Sequence, residues 1–163
     1  KAVAKIRKSY ANVHLLIAGR PWVSAEPYKI LIEEFNLVEN ATLHLDFIPT
    51  KHLPRYFSAA DILVLPYTQF NAQSGPGRIA LGYALPMIVT NVGGLPELVS
   101  YREDCITIPG NVDDLAEKLL HLILNPNLRL ELSGQAKHIA TRFSWAVSAS
   151  TLQDLYINDL LRE

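Results

Sequence analysis

Cysteine is almost missing from this chain of 163 residues, where Cys105 stands alone. That excludes an internal disulfide and any site built from several thiolates, and it fits a reducing compartment. No apolar run approaches the roughly 20 residues of a membrane-spanning helix, and the first residues do not read as a signal peptide. Surplus charge is missing too. A net charge of −1 and a pI near 6.6 leave no electrostatic footprint for nucleic acid. The basic cluster Lys1, Lys5, Arg7 and Lys8 reads as a solvated helix face, with a weak contact to an anionic membrane as the alternative. His14, His44, His52, His121 and His138 show neither a His-x-x-x-His pair nor a cysteine partner at zinc spacing. No metal site is expected, and each histidine should be exposed or half-buried. Ser74 lacks the Gly-x-Ser-x-Gly surroundings of a nucleophile elbow. The Gly-x-Gly-x-x-Gly fingerprint of dinucleotide enzymes is also absent after the opening strand, which ranks a dehydrogenase or epimerase last.

What is present is a chain 49% hydrophobic, long enough for one domain that buries about 68 to 70% of its unfolded surface. Its elements alternate. A first helix over Lys1 to Ser9 precedes a strand at Val13 to Ala18 and a helix around Tyr28 to Phe35. Leu43, Leu45 and Phe47 alternate with His44 and Asp46, predicting a strand with one less-buried face. A helix from about Lys51 to Ala60 follows, and Ile106 to Ile108 forms a last strand. This βαβα succession predicts an α/β fold, a Rossmann-like parallel sheet flanked by helices. The last third is helical: Asn111 caps a helix with Leu115, Leu119, Leu122 and Ile123 on one side. Leu128, Leu132, Ala136, Ile139 and Phe143 mark a second helix, and Ser144 caps a third bearing Trp145, Ala149, Leu152, Tyr156 and Leu160. These stripes read as core faces. Cys105 reads as inert core.

The densest information lies between Asp61 and Val99. Ile62 to Leu65 and Met87 to Thr90 are short apolar runs, each fitting a strand covered on both faces. After the first comes a loop ending in Gln73, Ser74, Gly75, Pro76 and Gly77, then a helix that Ser74 or Gly75 caps and Pro76 begins. After the second come Val92, Gly93, Gly94 and Leu95, with Pro96 starting a short helix. In a parallel sheet both loops emerge at the carboxyl ends of the strands, where open α/β folds bind ligands. Two helix starts, with unpaired N–H groups and the positive end of the macrodipole, would form a cradle for phosphate. Asp61 should bond neighbouring backbone. Glu97 compensates the dipole or touches the ligand, and Arg78 either reaches a phosphate or is an exposed helix arginine.

The segment from Phe47 to Val99, with FIPTKHLPRYFSAADILVLPY, QSG and ALPMIVTNVGGLPELV, resembles the donor-binding half of the group 1, family 4 retaining glycosyltransferases of GT-B architecture. ANVHLLIAG upstream and FSWAVSASTLQDLY downstream extend the likeness over nearly the whole chain. It implies a transferase domain, residues 1–163, that binds a nucleoside diphosphate sugar as substrate and needs no cofactor. Gln73, Ser74, Gly75 and Gly77 would approach diphosphate and sugar, with Arg78 within reach. Asp46, Phe47 and Ile48 would lie near the nucleobase. Gly93, Gly94 and Glu97 would close the other side. No catalytic residue is assigned.

Two departures accompany the resemblance. Many members carry two glutamates eight positions apart where this chain has Asn71 and Ile79, so the chain resembles a QSG-type branch in which ribose recognition falls to other groups. The family domain also opens with a central strand and a turn bearing an arginine and a lysine, whereas this sequence begins within the following helix. The resemblance therefore implies a fragment of a two-domain enzyme, inactive alone, whose partner is an acceptor-binding domain. The full enzyme would be cytoplasmic, with peripheral membrane association as a further option. In the doubly wound order 3-2-1-4-5-6 the absent strand is central, so the strands beside it are expected to pair across the gap or with another copy of the chain. The closing helix, which crosses to the other domain in the family, could then expose apolar surface and support self-association. A rival reading is a non-catalytic Rossmann-like domain that has lost the donor carboxylates and binds a partner protein through that helix.

Overall fold

The computed structural model describes residues 1–160. Helix α1 (Ala2–Ile6) leads into strand β1 (Leu15–Ala18), helix α2 (Glu26–Glu34), strand β2 (Ala41–His44), helix α3 (Leu53–Ala59) and strand β3 (Leu63–Leu65). Helix α4 (Gly75–Gly82), strand β4 (Met87–Thr90) and strand β5 (Ile106–Thr107) follow, and helices α5 (Val112–Leu124), α6 (Pro126–Arg142) and α7 (Trp145–Leu160) close the chain. All strand pairing is parallel. The α/β reading and the helical last third hold.

The strand order β2-β1 and β3-β4-β5 matches the doubly wound order with its central member missing, and the sheet is split in two at that point. Leu15 to Ala18 pair with Ala41 to His44, while Leu63 to Leu65 pair with Met87 to Val89. Among the described residues β1 and β3 do not pair with each other, so the expected closure across the gap does not occur. Helix α1 reaches both sides of the split. It packs on α5, Lys5 pairs with Asp113, and Arg7 donates to the Asn36 carbonyl at 2.8 Å, just past α2. Through them α1 links the β1–α2 unit to the three-stranded side. Lys1, Lys5 and Lys8 are exposed, as a solvated helix face requires, and Arg7 is half-buried.

The core belongs to the three-stranded side. Every residue of β4 is buried, and Ile88 and Val89 pack with Leu65, Leu81, Leu95, Leu98 and Leu122. Full burial of each such side chain contributes roughly 1.5–3 kcal/mol. By contrast β1 is wholly apolar yet only half-buried, and neither α2 nor α3 buries a side chain completely.

Several boundaries moved. The strand expected at Leu43 to Phe47 runs over Ala41–His44 instead, and Phe47 is 73% exposed. The alternation continued past the strand because apolar side chains on the exit loop happen to keep its rhythm. A 3-10 turn, Thr50–His52, precedes α3. The cap at Asn111 is present, its Oδ1 accepting from Asp113 and Asp114 N–H at 3.0 and 3.1 Å. Leu132, Ala136 and Ile139 are buried as expected, whereas Ala149, Leu152 and Tyr156 of α7 lie exposed, so that stripe is no core face of this chain. The side chains of Trp145 and Leu160 lie outside those described. Each histidine is exposed or half-buried, and no group of acidic, histidine or cysteine side chains fit for a metal occurs among the described residues. No described helix is long and apolar enough to cross a membrane. Asp61 is exposed and makes no hydrogen bond among the described residues, contrary to its expected backbone contact.

Candidate functional site

Both loops leave the carboxyl ends of neighbouring strands, β3 and β4, and the structure brings them into contact. Gly93 has φ +51°, and a Cβ added there would lie 2.3 Å from the Phe70 carbonyl oxygen. A Cβ on Gly94 would lie 2.9 Å from Gln73 Nε2. Thr90, buried at the end of β4, anchors the first loop from below: its Oγ1 lies 2.6 Å from the Tyr67 carbonyl and 3.3 Å from that of Leu65. A hydroxyl has one proton to give, and the shorter contact takes it. Tyr67 and Phe70 stack with centroids 4.8 Å apart, stiffening the segment that reaches Gly93.

Ser74, 2% exposed and in extended backbone, caps α4 by accepting the Gly77 N–H at 3.2 Å. Two expectations change as a result. The Gly77 N–H is bonded to the Ser74 oxygen and so is not open to a ligand, while Ser74, whose hydroxyl keeps its own proton to donate, is almost fully enclosed. Gly77 serves packing instead: its added Cβ would lie 2.5 Å from Leu98 Cδ1, so the missing side chain lets α4 sit against the 95–99 turn. That turn is a 3-10 helix of five residues, too short to carry the macrodipole of a longer helix, so the two helix starts are unequal. What remains is a smaller donor set. Among the described residues the N–H groups of Gly75, Gly93 and Gly94 meet no protein acceptor.

Side chains complete the rim. Arg78 donates from Nη2 to Gln73 Oε1 at 2.9 Å, and Gln73 Nε2 lies 3.5 Å from Glu97 Oε2, a long contact. The Arg78 guanidinium carbon sits 3.7 Å above the centre of the Phe143 ring. Arg78 is thus half-buried and partnered rather than a free phosphate arm. Asn71 is exposed and Ile79 half-buried, so neither supplies a carboxylate and Glu97 provides one nearby. Asp46, Phe47 and Ile48 lie on the loop that leaves β2, a strand of the two-stranded sheet. Among the described residues no hydrogen bond joins them to either loop. Sequence reading missed Phe143, taken for core, and Thr90. Only the position of Phe143 at the end of its stripe set it apart.

A cavity of about 580 Å³ lies elsewhere, beyond the far end of the 95–99 turn, lined by Ser100, Arg102, Glu131, Gln135 and His138 among others. Its charges answer one another. Arg102 bonds both Asp104 and Glu131, raising its own proton affinity and holding the Asp104 carboxyl below the usual range. A carboxylate whose folded pKa is depressed contributes stability above its unfolded value near 3.9, lost as pH falls through the folded value. Asp104→Asn should therefore lower stability at neutral pH and flatten its decline in acid, as read by denaturant midpoints between pH 7 and pH 2. Cys105 next to this pair is fully buried as expected. Desolvation, then Asp104, pushes its thiol up to about 12.

The sequence profile described as "Glycosyl transferases group 1" matches residues 1–125. A D-inositol 3-phosphate glycosyltransferase of Corynebacterium glutamicum is 31% identical over 100% of this chain and 40% of its own length. An uncharacterised glycosyltransferase of Methanocaldococcus jannaschii is 30% identical over 77% of this chain and 36% of its own length. The chain therefore spans well under half of these relatives. Among solved structures, Anabaena HepE in complex with UDP superposes with a TM-score of 0.79 at 21% identity, covering 95% of this chain and 43% of that one. The C-terminal domain of a group 1 glycosyl transferase from Francisella tularensis gives 0.72 at 20%, covering 87% and 75%. These likenesses show the shared fold.

Proposed function

As the chain belongs to the group 1 glycosyltransferases, we propose that residues 1–163 form the donor side of an enzyme that moves a sugar from a nucleoside diphosphate sugar to an acceptor hydroxyl with retention of configuration. One observation carries the reading. The N–H groups of Gly75, Gly93 and Gly94, on two loops in mutual contact, lack protein acceptors where an anion would meet them. Each charge-assisted bond from such a group to a diphosphate oxygen is worth about 1.5–3 kcal/mol. Catalysis then rests on holding the donor and stabilising the departing diphosphate. Gln73 and Glu97 border that group, and Asp46, Phe47 and Ile48 take the nucleobase side. An acceptor-binding domain is the partner that supplies the other wall of the crevice, and no cofactor enters. The complex of HepE with UDP supports uridine diphosphate as the first probe.

Adding UDP to the intact protein should slow amide exchange at Gly75, Gly93 and Gly94 by about tenfold or more and leave Gly77, already bonded to Ser74, unchanged. Unaltered rates at all three glycines would remove the reading. The rival, a non-catalytic domain that binds a partner protein, draws on the exposed Leu152, Leu155 and Tyr156 of α7. Donor turnover by the intact protein would dismiss it.

A further inference from the structure

We infer that Arg78 is a positioning residue, clamped on the Phe143 ring, that holds the Gln73 amide with its NH2 group toward the crevice and so couples the α6–α7 junction to the donor loop. The inference rests on the site proposed above. A glutamine amide alone can turn either end to a ligand. An arginine has only donors, so the Gln73 oxygen must face Arg78 Nη2, at 2.9 Å, and the NH2 group must face Glu97 and the space above Gly94. The loop then adds side-chain donors to the backbone N–H groups, as a diphosphate or a sugar hydroxyl requires.

Arg78 owes its own direction to Phe143. A guanidinium whose carbon is 3.7 Å from a ring centre is within cation–π range, and from that seat Nη2 reaches Gln73 Oε1. Phe143 is the residue after α6, and its successor Ser144 caps α7 by accepting the Val147 N–H at 3.2 Å. The chain turns there from one helix to the next. A swing of α7 against α6 that is taken up at Phe143 would carry the ring away from Arg78. The amide of Gln73 would then lose its fixed sense. The direction taken by α7 thereby sets how many donors the loop offers.

Calorimetric titration of the intact protein with UDP tests this. Phe143→Leu should weaken binding about threefold, with Phe143→Tyr, which keeps the ring face, restoring it. Arg78→Met should weaken binding about tenfold. In a Gln73→Ala background the same Arg78→Met change should add nothing. A further loss in that background would mean that Arg78 touches the ligand directly, overturning the positioning role. Equal affinity in Phe143→Leu and the wild type would overturn the coupling. The free protein gives an independent reading: the Gln73 side-chain NH2 should be ordered by NMR relaxation in the wild type and mobile in Phe143→Leu. If UDP fails to bind while that difference persists, the donor site falls and the relay stands. If the order is the same in both proteins, the relay falls.

Discussion

Replacing Gly93 by alanine should destabilise the protein by about 2–5 kcal/mol, measured by urea unfolding, and abolish whatever affinity the crevice has for nucleotide. Two costs add. A residue with a Cβ pays about 1–2 kcal/mol to hold the left-handed backbone found there, φ +51°. The Cβ would also lie 2.3 Å from the Phe70 carbonyl oxygen, an atom of backbone that cannot rotate aside. Overpacking of this kind typically costs another 1–3 kcal/mol. The obstruction lies between the two loops, so relief requires separating them. Gly134→Ala is the control. Gly134 lies within α6 with nothing inside 4 Å of an added Cβ, so alanine there should stabilise by about 1 kcal/mol through helix propensity alone.

Leu98→Ala is the second large effect, at about 2–5 kcal/mol for a buried leucine cut back in a packed core. Leu98 is 1% exposed and is the side chain that fills the space above Gly77. The two positions should couple. By itself Gly77→Ala gains about 1 kcal/mol of helix propensity but pushes a Cβ to 2.5 Å from the buried Leu98 Cδ1, which must shift within a packed core, so the net is a loss. Once Leu98 is alanine the obstruction is gone and the same substitution should stabilise. A reversal of sign across the double-mutant cycle, read from denaturation midpoints, would establish that the glycine serves helix seating. Loss of stability in both backgrounds would instead point to Leu65, whose Cδ1 would lie 3.2 Å away.

These two glycines mark the limit of what could be read from residue types. Strand β4, the cap at Ser74 and the cap at Asn111 were legible because each is a local decision: an apolar run, or an oxygen accepting an N–H two or three residues on. The tandem loops were legible as a pair, and they do meet. Which glycine closes the contact between the loops and which seats a helix on the core was not, because that depends on Phe70 and Leu98, residues distant in sequence. Phe143 shows the same limit. Its place at the end of an apolar stripe pointed to the core, but its ring carries Arg78 of another helix. In α7 the periodicity of Ala149, Leu152 and Tyr156 was correct for a helix and silent about whether anything covers it. Asp46 to Ile48 follow a strand of the two-stranded sheet while the two loops follow strands of the other, a division no linear pattern conveys.

The division of the sheet gives the molecule two thermodynamic tiers. Strands β3, β4 and β5, with the packed side chains of α4 to α6 around them, should open only with the molecule as a whole. The unit of β1, α2 and β2, bonded along one ladder and almost without fully enclosed side chains, can come loose at a fraction of that free energy. The exit of β2 belongs to the looser tier and the amide-bearing loops to the firmer. A ligand that bridged them would therefore spend part of its binding free energy on quieting one half of the fold.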